Sequence, residues 1–133
     1  MPLTIKALSA PSRKGWLNEE WMLVHNAGER PFNTEGCSIS VGRGSSRPKL
    51  VTTLKAGLVI QPKETCRLVT GSSGKKSHGA APEDEDVRNV HLFLKASYLD
   101  KPGVVVRLMN RQLELCRATY DTGSESGVAS AEE

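Results

Sequence analysis

Aromatic residues are few: two Trp, two Tyr and two Phe in 133 positions. Single-stranded nucleic acid is read by stacking bases on exposed rings, and the core claims Trp21 and Phe32 first, so that mode of recognition is not expected. Cysteine is scarce as well. Cys37, Cys66 and Cys116 are widely spaced and form no C-x-x-C pair, which argues against a zinc cluster or a disulfide framework and suits a reducing cytoplasm. No run approaches the roughly 20 apolar residues that cross a bilayer. The first residues also lack the apolar stretch of a cleaved export signal, so a cytoplasmic protein without a membrane span is expected. Sustained helical periodicity is missing too, and helix content should be minimal.

Acidic residues are missing from one region in particular. Between residues 36 and 76 the chain carries Arg43, Arg47, Lys49, Lys55, Lys63, Arg67, Lys75 and Lys76 against Glu64 alone, whereas the net charge of the whole chain is only +3. The first 35 residues cancel. The remainder is acidic, chiefly through Glu83-Asp84-Glu85-Asp86 and the ending. Such asymmetry either attracts polyanions or keeps strands soluble and unpaired at their edges.

What the chain does have is period-two patterning broken by turn residues. Glu19 to Asn26 reads as a strand, and in its Trp21 to Asn26 part Met22 and Val24 fall on one face and Trp21, Leu23 and His25 on the other. Asn26-Ala27-Gly28-Glu29 then reverses the chain, because Asn and Gly tolerate positive φ. Leu3 to Leu8, Cys37 to Val41, Leu50 to Leu54, Leu58 to Ile60, Thr65 to Thr70, His91 to Lys95, Val104 to Leu108 and Gln112 to Tyr120 read as further strands, with Asn110-Arg111 linking the last two. In the last strand Leu113, Leu115 and Arg117 are assigned to one face and Glu114, Cys116 and Ala118 to the other. Gly71 to Asp86 offers almost nothing to bury and is expected to be a mobile loop. Residues 121–133 are expected to form a flexible acidic tail behind a domain spanning residues 1–120. About seven to nine short strands with turns between them predict an all-β antiparallel sandwich or barrel.

The order and spacing of these residues resemble the lamin-tail domain, the immunoglobulin-like module found in nuclear intermediate-filament proteins and in assorted bacterial and archaeal proteins. An aromatic, alternating apolar residues, Asn-x-Gly, Pro and Gly stand here as Trp21, Met22, Val24, Asn26, Gly28, Pro31, Phe32 and Gly36. The family's middle segment is similar to Leu54, Gly57, Ile60, Pro62, Cys66, Leu68, Thr70 and Gly71, and its ending to His91–Tyr120 with Gly103, Leu108 and Tyr120 in register. Departures are Cys37 after Gly36 where the family has Trp, Thr34 for Leu, Lys63 after Pro62 where it has Gly, and Tyr98 to Val104 in place of Trp-Asn-Asn-x-Gly-Asp. The resemblance implies an immunoglobulin-like antiparallel β-sandwich that binds partner proteins, and in some members DNA or chromatin. It transfers no particular contact residue.

Catalytic and metal patterns are weak by comparison. Cys37 and Cys66 fall at core positions of that pattern, Cys116 has no motif around it, and His25, His78 and His91 show no metal-binding spacing. The acidic quartet lacks the glycine and distal Glu of a calcium loop. Gly42-Arg43-Gly44 and Gly71 to Lys76 lead into no helix, as a phosphate loop would. A non-enzymatic interaction module without metal or cofactor is therefore expected. Its core is assigned to Met22, Val24, Phe32, Ile39, Ile60, Leu68, Val106 and Leu108. It would meet a protein partner through loops or an edge strand, with Arg43, Arg47, Lys49, Lys75 and Lys76 as contacts. Homodimerisation through an edge is compatible with this reading. The alternative is weak, salt-sensitive binding of DNA or another polyanion through residues 36–76.

Overall fold

The alternating runs become strands. A computed structural model describes residues 3–11, 15–43, 48–54, 57–71, 78–79, 82, 86–99, 102–123 and 125–128. Over these the chain forms β1 (Leu3–Ser9), β2 (Trp21–Asn26), β3 (Phe32–Asn33), β4 (Cys37–Arg43), β5 (Lys49–Thr53), β6 (Val59–Ile60), β7 (Thr65–Val69), β8 (Val87–His91), β9 (Val104–Asn110) and β10 (Leu113–Thr119), with a 3₁₀ turn at Leu17–Glu19. Two four-stranded sheets, ordered β1-β2-β7-β8 and β10-β9-β4-β5, share one core; β3 and β6 make a small ribbon beside them. The fold is an all-β sandwich, as the patterning predicts. No helix among the described residues is long and apolar enough to cross a membrane.

Met22, Val24, Ile39, Ile60, Leu68, Val106 and Leu108 are buried, and Phe32 packs half-buried against them. Each such side chain contributes about 1.5–3 kcal/mol relative to leaving it in water. Inward-facing polar groups at the same period are Glu20 and Asn26, both fully buried. Asn26 organises the turn that follows it. Its side-chain amide donates to the Arg30 and Ile60 carbonyls (both 2.9 Å), and its side-chain oxygen accepts from Gly28 N at 2.9 Å. The Asn-x-Gly spacing read from the sequence thus has a physical cause: the amide replaces backbone partners that a reversing chain leaves unpaired.

The structure corrects several expectations. Not every ladder is antiparallel: β8 runs parallel to β7, with Thr65 opposite Val87 and Val69 opposite His91. A parallel neighbour cannot be reached by a hairpin, so the chain between them must cross over. Of that crossover Gly71, His78, Gly79, Pro82 and Asp86 are described, and the rest of the predicted mobile loop lies outside the described residues. Gly79 and Pro82 are tied down: Asn18 donates to the Gly79 carbonyl at 3.1 Å, and Arg67 and Asn89 donate to the Pro82 carbonyl at 3.0 and 2.8 Å.

The strand expected at His91–Lys95 lies earlier, at Val87–His91. It ends because Phe93 takes φ +55, and Leu92, Phe93 and Leu94 donate their amides to the carbonyls of Val69, Gly71 and Thr70. In β10 a bulge between Glu114 and Cys116 resets the alternation, so Leu115 and Ala118 are both buried while Leu113 is exposed. The last hairpin turns on Arg111-Gln112, with Asn110 paired to Leu113. The tail does not fray at residue 121 either. Tyr120 bridges to Val128, and Asp121 N donates to the Gly127 carbonyl at 2.8 Å.

Candidate partner-binding edge

The two sides of the sandwich are closed differently. Along β1, the C-terminal turn covers the edge: Leu8 N donates to the Ser126 carbonyl at 2.8 Å, and Gly127, at φ +75, lies so close that a Cβ there would collide with the Leu8 carbonyl. On the opposite side, no described strand pairs with the outer edge of β5 or β8. The core shows through at this side. Val51, Leu58, Val90, Leu92 and Leu94 are all half-buried against it. A cleft of ≈ 100 Å³ opens among Leu54, Leu58, Val90 and Leu92. Beside it, a wider groove of ≈ 400 Å³ runs between β5 and residues 94–98.

The far wall of this groove is fixed by a buried carboxylate. Glu20 is 0 % exposed. It accepts hydrogen bonds from Thr70 Oγ1 (2.8 Å), Tyr98 N (3.2 Å), Leu99 N (3.0 Å) and, at very short range, Ser97 Oγ. A buried carboxylate is tolerated only when its oxygens are satisfied in this way. Segment 97–99 has no regular secondary structure of its own, so Glu20 supplies the partners that a ladder would otherwise give. Burial pushes the Tyr98 phenol well above its ordinary range, the Glu20 charge adds to the rise, and the Thr70 hydroxyl opposes it. Gly71 completes the corner, because a Cβ there would collide with the Asn18 side chain.

Phe93 stands between cleft and groove, 52 % exposed and in the left-handed region. A bulky residue at positive φ is an outlier that the surrounding hydrogen bonds must hold. Those bonds set Leu92 to line the cleft and Leu94 to line the groove. Leu50, on the near wall, is 60 % exposed.

Among the described residues, Lys49 and Lys95 are the charged side chains that line the groove, and none that lines it is acidic. Other basic residues are engaged elsewhere. Arg67 is buried under the crossover, its guanidinium 4.7 Å from the Trp21 ring centroid and donating to Asn89 Oδ1 at 2.9 Å. Lys63 pairs with Glu29 at 3.4 Å, and Arg43 reaches the Pro102 carbonyl at 3.4 Å. Arg47, Lys75 and Lys76 lie outside the described residues. Of the sequence-derived contacts, then, Lys49 lines the groove, and its neighbour there is Lys95, which the charge count did not single out. Glu20 was also missed, although its position two before Met22 places it on the inward face.

The thiols are weak nucleophiles. Burial raises Cys37 above its ordinary value and pushes Cys66 and Cys116 up to about 11, so all three stay protonated at neutral pH. His25 Nδ1 shares a hydrogen bond with Thr65 Oγ1 at 2.9 Å. Among the described residues no three His, Cys, Asp or Glu side chains are placed to hold a metal ion. What the geometry offers is a strand edge with no described neighbour, beside half-buried core residues and two lysines. No protein-family model matches the chain, and no curated protein matches it in a sequence search.

Proposed function

We propose that this protein is a non-enzymatic interaction module, a divergent sandwich of lamin-tail type, which binds a protein partner along the open side between β5 and β8. The observation that carries the reading is the asymmetry of the sandwich. At Leu8 the β1 edge is covered by the turn that carries Ser126 and Gly127, whereas no described strand pairs with the β5 and β8 edges, which lie beside half-buried Val51, Leu92 and Leu94. Unpaired edges with apolar neighbours are where extended segments add to sheets.

The test compares two exposed leucines. Leu50 lies on the open edge, and Leu113 begins β10 at the opposite edge of the same sheet. Immobilised wild-type protein should retain a partner from source lysate that Leu50→Asp loses by roughly tenfold and Leu113→Asp keeps. Equal retention by both variants, with folding verified by circular dichroism, would exclude the open side as the binding surface.

A further inference from the structure

Resting on that reading, the chemistry of the open side narrows the occupant. On β8, Arg88 donates to the Val59 carbonyl at 2.6 Å and bridges to Glu64 at 3.2 Å, tying that strand to β6 and the turn before β7. Among the described residues the β5 edge carries no such bridge, and Lys49, Leu50 and Thr53 on it are exposed. From Arg43 to Lys55 the sequence has four basic residues and no acidic one.

The two depressions differ in character along the strand. The Leu54–Leu58–Val90–Leu92 cleft is small and mainly apolar, with Thr52, Thr53 and His91 completing its wall, and is sized for one aliphatic side chain. The neighbouring groove is open and contains both Lys49 and Lys95, which among the described residues have no ion-pair partner. The cleft meets β5 at Thr52 and Thr53, and the groove meets it from Lys49 to Val51. Adjacent inward positions on an added strand are about 6–7 Å apart, since side chains two residues apart share a face. One such step carries a side chain from cleft to groove.

We infer that the partner is an acidic protein segment that adds in extended form along β5. It would seat an aliphatic side chain in the cleft and, two residues away on the same face, a carboxylate received by Lys49 and Lys95. The backbone would extend the four-stranded sheet by one strand and cover Val51 and Leu94. Lys49 and Lys95 then set partner choice through charge, while backbone bonding and apolar burial hold the segment. A second copy of the chain is disfavoured as the occupant, because its β5 would bring Lys49 and Leu50 but no carboxylate.

The probe is a fluorescein-labelled nonapeptide, Thr-Val-Thr-Glu-Thr-Val-Thr-Glu-Thr, whose one face alternates valine and carboxylate in both directions; its partner probe has Lys for Glu. Fluorescence polarisation gives affinity, and amide chemical shifts give location. Expected are binding of the acidic probe at least about tenfold tighter than the basic one, loss of that preference in Lys49→Glu/Lys95→Glu, and shifts confined to residues 49–53 and 87–98. Equal binding of both probes with shifts at β5 would overturn the acidic partner and leave the edge reading standing. Shifts elsewhere, or none for either probe, would remove strand addition itself. Sedimentation of the free protein as a dimer that dissociates on Leu50→Asp would instead assign the edge to a second copy and overturn the inference.

Discussion

Single residues carry much of what is specific to this sandwich. Glu20 is the clearest case: four donors converge on one buried carboxylate, and two of them are the backbone amides of Tyr98 and Leu99. Glu20→Ala should cost about 3–5 kcal/mol, read from the urea midpoint, because it leaves those donors buried and unpaired. Lys63 and Arg111 stand at φ +63 and +57, where glycine is at ease and other residues are not. Arg111→Gly should therefore leave stability unchanged or raise it by up to about 1 kcal/mol, since relief of the left-handed strain opposes the extra entropy of glycine in the unfolded chain. A loss above that figure would show that the Arg111 side chain stabilises the hairpin by contacts of its own. Cys66 links stability to pH. In the unfolded chain its thiol ionises near the ordinary value of 9.0, and in the folded chain only near 11. Its contribution is thus complete below pH 9 and is lost as pH rises toward 11, because there the unfolded state binds fewer protons. Urea midpoints of the wild type should fall over that window more steeply than those of Cys66→Val.

At the scale of elements, edges and their coverage decide behaviour. In β1 the outer amide of Leu8 is satisfied by the Ser126 carbonyl, with Gly127 allowing the approach. Gly127→Ala should cost about 1–3 kcal/mol through overpacking against the Leu8 carbonyl. It should also convert the Leu8 amide from slow to fast hydrogen exchange, whereas amides in the central β4–β9 ladder stay slow. The sequence showed Gly, Ser and Glu after Asp121 and suggested a tail, since short polar residues give no apolar period to read. Coverage here comes from backbone hydrogen bonds and the close approach of Gly127, neither of which writes an apolar period. Bulges were hidden for the same reason: the extra residues that let Leu8 in β1 and Ala118 in β10 turn inward leave no mark in composition.

At the scale of the whole molecule, one core joins both sheets, the Leu99 segment and the β3–β6 ribbon. Unfolding should accordingly be a single transition, with Trp fluorescence and far-ultraviolet circular dichroism giving the same urea midpoint. Separate midpoints would mean that the crossover over Trp21 and Arg67 detaches before the sheets part. The molecule is also lopsided, covered along β1 and open along β5, and that asymmetry directs the proposed partner to one side.

Sequence alone determined most of the strands and, in β2, β4 and β9, the face each buries, because burial on one side of a pleat writes a period of two directly into the residue order. Met22, Val24, Ile39, Leu68, Val106 and Leu108 were legible for that reason, as was the Asn26 turn. Tertiary structure alone decided that β8 runs parallel to β7, that Arg67 is buried rather than a surface cation, and that Lys49 meets Lys95 across a groove. These depend on which strands become neighbours, and pairing between residues distant in the chain is set by the packing of the whole core, which no local pattern records.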